Sequence, residues 1–378
     1  MLIKTPPMGW NSWNTFGENI NEDMIRETAD AMVSTGLKDA GYEYLVIDDC
    51  WSEHGRDKDG RLVADHVKFP HGMKAVADYV HEKGLKFGMY SCAGTLTCAR
   101  YPGSYEHEFI DAETFASWGV DYLKYDYCYH SPIVPGPYLY RRMGLALENC
   151  GRDILFSACS WGSDETHEWI KTTGADIWRS TGDIFDSWKS IRDLTQQQEK
   201  LHPFNGAGCF NDMDMLVTGM YGKGNVGIAG CDDVQYRTHF ALWCFMQSPL
   251  MIGCDVRNMS DATKETLTNP GLISLDQDPA VRQPFRIAKW DGGYVDKVLV
   301  YARHLAHGEL AVGLFNMDSE KARAQFNMDE LALPESTGKT IEMHNVFSGE
   351  TIMPQNGAVG RVLEPYACEV YRCRIVDL

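Results

Sequence analysis

A chain of 378 residues with 44% hydrophobic and 23% charged side chains can fill one large core and a smaller partner domain. It holds no apolar run near the roughly 18 residues of a membrane span. A formal charge of -18 repels phosphate backbones and anionic lipid, so neither a nucleic acid nor a membrane is expected as a partner.

The N-terminal segment Met1-Leu-Ile-Lys-Thr-Pro-Pro has no charged stretch followed by a long apolar one. It does not read as a secretory leader, and a cytoplasmic, bacterial protein is expected. Eight short apolar segments follow, at 7–10, 44–47, 86–90, 122–125, 154–157, 176–178, 213–216 and 250–253, each before a longer stretch of helical character. Within 23–36 and 73–84, apolar residues recur at three and four and a glycine closes the run, which predicts amphipathic helices with C-caps. Alternation of this kind implies parallel strands, and eight units predict a (β/α)8 barrel over residues 1–285. From about residue 286 the pattern becomes strand-like alternation without helices, at 298–301, 310–315, 341–347 and 367–375. Residues 286–378 are read as an antiparallel β-sandwich that supports the barrel.

Polar and aromatic residues gather where the barrel strands end: Trp13, Asp48 with Asp49, Tyr90, Asp126, Trp161, Asp183, Asp212 and Asp255. Barrel enzymes place their sites at these C-terminal ends. A single acid there also serves as a helix N-cap, but repetition around the rim favours a site. Lys124 and Asp126 lie two apart on a strand and share the face that opens into the mouth. An ammonium beside a carboxylate favours the ionised form that a nucleophile needs. Arg179 and Asp183 bring a second acid to the rim, and two carboxyl groups facing one cavity suffice for glycosidic cleavage. The competing interpretation is a pair of structural salt bridges, Lys124 with Asp126 and Arg179 with Asp183. Asp48 and Asp49 either receive sugar hydroxyls or share a Mg²⁺ ion with Asp212 and Asp214. Trp13, Trp51 and Trp161 favour the sugar, because pyranose C–H faces pack on indole. The 12 cysteines show no metal-ligand spacing, and a chain this long needs no disulfide staples.

The motifs Thr5-Pro-Pro-Met-Gly-Trp-Asn-Ser-Trp13, Gly41-Tyr-Glu-Tyr-Leu-Val-Ile-Asp-Asp-Cys-Trp51, Phe69-Pro-His-Gly-Met73, Tyr122-Leu-Lys-Tyr-Asp-Tyr-Cys128, Trp178-Arg-Ser-Thr-Gly-Asp183 and Asn211-Asp-Met-Asp-Met-Leu216 resemble glycoside hydrolase family 27. The resemblance implies a retaining, exo-acting α-galactosidase without metal or cofactor, acting on terminal α-galactosides of oligosaccharides or glycoconjugates. By the same resemblance Asp126 is the nucleophile and Asp183 the acid/base. Asp48 and Asp49 then bind the 4- and 6-hydroxyls, Lys124 and Arg179 the 3- and 2-hydroxyl side, and Trp13 and Tyr90 line the pocket. Cys98 and Cys128 match positions that are disulfide-bonded in secreted relatives, while Cys50 and Cys159 match bonded positions whose partners are missing here. Substrate choice is read from Ser160 and Ser163 beside Trp161, where small residues leave room for an acetamido group. Galactose ranks first, N-acetylgalactosamine second and β-L-arabinopyranose third, with a sugar-binding protein without turnover as the non-enzymatic alternative. Homo-oligomerisation is left open.

Overall fold

The computed structural model describes residues 2–288 and 297–378; Met1 of the N-terminal segment and residues 289–296 of the second region lie outside it. Eight parallel strands form the first sheet: β1 (Met8–Asn11), β2 (Tyr44–Val46), β3 (Lys86–Cys92), β4 (Tyr122–Asp126), β5 (Leu155–Ala158), β6 (Ile177–Arg179), β7 (Phe210–Asp212) and β8 (Leu250–Ile252). Their order runs from β7 down to β1 and then β8, so β1 pairs with both β2 and β8. The barrel closes through one parallel bridge between Leu216 and Ile252.

Sequence alternation places the seventh strand at 213–216, whereas the structure puts β7 at Phe210–Asp212. The reason is local. Asp214 takes a positive φ of 83°, its N–H donates back to Asp212 Oδ1 at 2.8 Å, and the strand breaks before Leu216 resumes the ladder. The other seven strands fall within two residues of the expected segments.

Strand alternation sorts side chains as the period of two requires. On β4, Tyr122 packs inside the barrel with Tyr44, Val46, Leu155, Ile177, Phe210 and Met251, while Leu123 and Tyr125 face the helices. Lys124 and Asp126 continue the inward face up to the mouth. Outside, helix Glu22–Ser34 starts at Asn21, whose side chain accepts the Met24 N–H at 2.9 Å. Helix Asp233–Met246 begins with a reciprocal capping box between Asp232 and Gln235.

The C-terminal region contains β9 (Phe285–Ile287), β10 (Val298–His304), β11 (Leu310–Asn316), β12 (Ala322–Asn327), β13 (Lys339–Asn345), β14 (Thr351–Ile352), β15 (Ala358–Leu363) and β16 (Cys368–Asp377). A six-stranded antiparallel sheet, β14-β13-β16-β11-β10-β9, faces the β12-β15 pair. Val300, Ala302, Val312 and Leu314 point to the core between these sheets with Phe326 and Val359, and the alternate residues Leu299, Tyr301, Ala311 and Phe315 join the barrel core. One sheet thus serves two cores. Arg303 reinforces this seam: fully buried, it donates to the carbonyls of Phe245 (2.9 Å) and Leu275 where barrel helices end.

Candidate active site

A cavity of about 520 Å³ opens at the C-terminal ends of the barrel strands. Its lining includes Trp13, Asp48, Asp49, Tyr90, Lys124, Asp126, Trp161, Arg179 and Asp183, all singled out from the sequence. Ser160 is not brought to it. Ser160 is 0% exposed and its hydroxyl pairs with Thr166 Oγ1 at 2.6 Å, so it is not a cavity-lining residue. The preceding strand β5 and the tight approach of Gly162 turn it inward: Gly162 has a φ of 78°, and a Cβ there would sit 2.5 Å from the Ser180 carbonyl. Trp51 also faces away, donating from Nε1 to the Tyr90 carbonyl at 2.9 Å and packing edge-on against Phe115 and Trp118.

Asp126 is 6% exposed at the end of β4. Its Oδ1 accepts the Tyr127 N–H at 2.9 Å and its Oδ2 accepts the Tyr90 hydroxyl at 3.1 Å, which fixes the carboxylate plane. Burial, with a smaller contribution from Asp48, pushes its pKa above the ordinary range against the pull of Lys124 and Arg179. The salt bridge considered between Lys124 and Asp126 does not form. Lys124 Nζ pairs instead with Asp48 Oδ2 at 2.8 Å, where Asn11 also donates at 2.7 Å. Asp49 accepts the N–H groups of Cys50 at 2.7 Å and Ala99 at 2.8 Å, yet burial lifts its pKa to about 6. Two adjacent carboxyl groups are thereby held with different partners, one ion-paired and one on backbone donors.

Asp183 has a different setting. Its side chain is 66% exposed and bonded to Arg179 at 2.7 Å. Burial of the rim pushes its pKa upward, but the charge and hydrogen bond of Arg179, with the charge of Lys124, outweigh this and hold it below the usual carboxylate range. Arg179 is buried and spans to Asp214 Oδ2 at 2.9 Å, leaving its Nε without a partner among the described residues. Asp214 therefore neutralises Arg179 rather than joining Asp212 around an ion. Cys98 and Cys128 are disulfide-bonded and line the cavity beside Asp126, with Tyr90 OH 3.2 Å from Cys98 Sγ. Cys50 and Cys159 are buried free thiols. The close donor group of Cys98, Asp126 and Cys128 has two of its three members tied up in that disulfide, which leaves no thiolate pair for a metal.

Several lining residues carry no sequence signal of their own: Asn14, Ile184, Phe185, Asn225 and Val226. Asn225 and Val226 belong to a glycine-rich loop between β7 and β8. Gly224 lets this loop lie against Thr15, because a Cβ there would meet Thr15 Cα at 2.7 Å. The run of glycines from Gly219 to Gly230 was the available clue to a loop that approaches the site closely.

Residues 5–278 match the family model described as alpha galactosidase A, and residues 295–373 match the alpha galactosidase C-terminal beta sandwich domain. An α-galactosidase of Cyamopsis tetragonoloba is 42% identical over 371 residues, covering 98% of this chain and 86% of that protein. Alpha-galactosidase A of Cellvibrio japonicus is 43% identical over 371 residues, covering 93% and 87%. The crystal structure of α-galactosidase I from Mortierella vinacea superimposes with a TM-score of 0.90 at 32% identity, covering 98% of this chain and 97% of that one. A family model spanning the barrel, a second spanning the sandwich and relatives this similar along nearly the whole length establish that the chain belongs to glycoside hydrolase family 27, the α-galactosidase family.

Proposed function

We propose that this glycoside hydrolase releases terminal α-D-galactose from oligosaccharides or glycoconjugates with retention of configuration, Asp126 acting as nucleophile and Asp183 as acid/base. One observation carries the reading: a fixed, buried carboxyl and an exposed one line the same cavity, together with an acidic pair suited to hydroxyl recognition. In the first step an Asp126 oxygen bonds to the anomeric carbon while the glycosidic oxygen leaves with the proton of Asp183. Water then attacks the same carbon, returns a proton to Asp183 and frees Asp126. Tyr90 and Tyr127 orient the nucleophile, so little reorganisation is needed at the moment of attack.

The protonation preferences of the two groups run against these roles, since Asp126 is raised and Asp183 lowered. Both carboxyl groups feel the charges of Lys124 and Arg179, so their protonation is linked through these two cations. Sugar hydroxyls that engage Arg179 loosen its hold on Asp183, and exclusion of water by the bound sugar favours the neutral acid there. The proton then resides where the leaving oxygen needs it.

Galactose remains the preferred sugar. The room for an acetamido group was argued from Ser160 and Ser163; Ser160 faces Thr166 and neither serine is among the cavity-lining residues, and the intact Asp48–Asp49 pair suits a sugar that keeps its 6-hydroxymethyl group. Disulfides persist mainly in oxidising compartments, so the Cys98–Cys128 bond favours an extracytoplasmic setting over the cytoplasmic expectation. No helix among the described residues is long and apolar enough to cross a membrane. The test compares kcat/KM on p-nitrophenyl α-D-galactopyranoside, its 2-acetamido analogue and p-nitrophenyl β-L-arabinopyranoside. The galactoside is expected to lead by about tenfold or more, and a lead by either analogue overturns the assignment of the sugar pocket.

A further inference from the structure

The segment that follows Asp183 presents an aromatic ring that the cleavage of galactose itself does not use. From Asp183 to Asp186 exposure alternates: Asp183 and Phe185 are exposed, Ile184 and Asp186 buried. Phe185 is 44% exposed, yet it lines the catalytic cavity. A single exposed ring on an open surface is ordinary, but a ring in the wall of a cavity offers an apolar face that a ligand can cover.

This ring is not on a loose loop. The Ile184 N–H donates to Asp214 Oδ2 at 2.6 Å and the Phe185 N–H to Ser190 Oγ at 3.0 Å. Buried Asp186 accepts from the Tyr236 hydroxyl at 2.9 Å and the Gly222 N–H at 2.7 Å, and its backbone bridges to the glycine-rich loop. Asp183 and Phe185 therefore share one anchored segment, and both line the cavity. The glycosidic oxygen protonated by Asp183 belongs to the leaving group, so whatever departs lies on the side of the cavity that Phe185 occupies.

We propose that Phe185 is the stacking platform for the leaving sugar, packing on the C–H face of the residue attached to galactose, and that it sets a preference for saccharide over small leaving groups. This rests on the α-galactosidase reading. Phe185 takes no part in bond making or breaking.

The test compares wild type with Phe185→Ala and Phe185→Trp on α-D-galactosyl fluoride, which has no leaving sugar, and on melibiose and raffinose. Phe185→Ala is expected to lower kcat/KM on both saccharides by about tenfold, the upper range of an aromatic stacking contact, while the fluoride stays within about twofold. Phe185→Trp should retain saccharide hydrolysis, and its thermal unfolding shows whether the segment still folds. Equal losses on fluoride and saccharides in Phe185→Ala, or no loss on any, overturn the proposal. A wild-type enzyme that releases nothing from any of these substrates overturns the α-galactosidase reading itself, before the platform is in question.

Discussion

The ends of β4 and β6 each deliver an aspartate to the same cavity, but the two are built in opposite ways. Asp126 is buried, held through both oxygens by Tyr90 and Tyr127, and raised in pKa by its surroundings. Asp183 is exposed, held through one oxygen by Arg179, and lowered. The difference matches what the proposed roles of nucleophile and acid/base require. A nucleophile must sit at a set distance from one carbon, whereas an acid/base must meet a leaving group, then a water, and exchange a proton with each.

The comparison breaks most sharply at Asp126. Asp126→Ala should reduce kcat by about 10⁴-fold or more with the fold intact, and azide should restore turnover as a galactosyl azide of inverted configuration. Rate measurements with product analysis check this, and an active Asp126→Ala enzyme would remove the nucleophile assignment.

Asp183→Ala should cost about 10²–10⁴-fold on melibiose, where the departing sugar needs a proton, and much less on a p-nitrophenyl galactoside, whose leaving group does not. Equal losses on both would mean that Asp183 serves only as a partner of Arg179.

The pH profile sharpens the contrast further. Below both carboxyl values the nucleophile is protonated, and above both neither group holds a proton to give. With Asp126 raised and Asp183 lowered, kcat/KM should rise below the ordinary carboxylate range, where Asp183 titrates, and fall above it, where Asp126 does. A profile of kcat/KM against pH with no fall on its alkaline limb would contradict this.

The smallest effect concerns stability. Burial lifts Asp49, Asp176 and Asp214 to about 6. A folded-state pKa above the unfolded value means that ionisation weakens the fold. Their contribution is full below the unfolded range and is lost as pH climbs from about 4 through about 6. The unfolding temperature should therefore be higher at pH 5 than at pH 7. Asp176 accepts the Phe156 N–H at 3.0 Å away from the catalytic cavity, so Asp176→Asn should reduce that slope without changing kcat.

Much of this was legible in the residues before any coordinates. Parallel strands buried on both faces produce apolar runs that stand out between helices, and the acids after β2, β4 and β6 mark the mouth because no barrel core would tolerate them elsewhere. The strands β9, β12, β14 and β15 were missed. Ala322–Asn327 alternates but offers only two alanines and Phe326 as its apolar set, and Ala358–Leu363 is interrupted by Gly360 and Arg361.

The sequence by itself determined the order of eight strand–helix units, the change to a β-rich second region and the set of acids at the rim, since each depends on local periodicity and residue type. Only the tertiary structure decided that Lys124 serves Asp48, that Asp214 breaks β7 and balances Arg179, that Ser160 turns to Thr166 and that Phe185 stands beside Asp183. These pairings follow from barrel closure, which brings together groups tens of residues apart, and in a low-dielectric cavity the nearest available partner takes the charge.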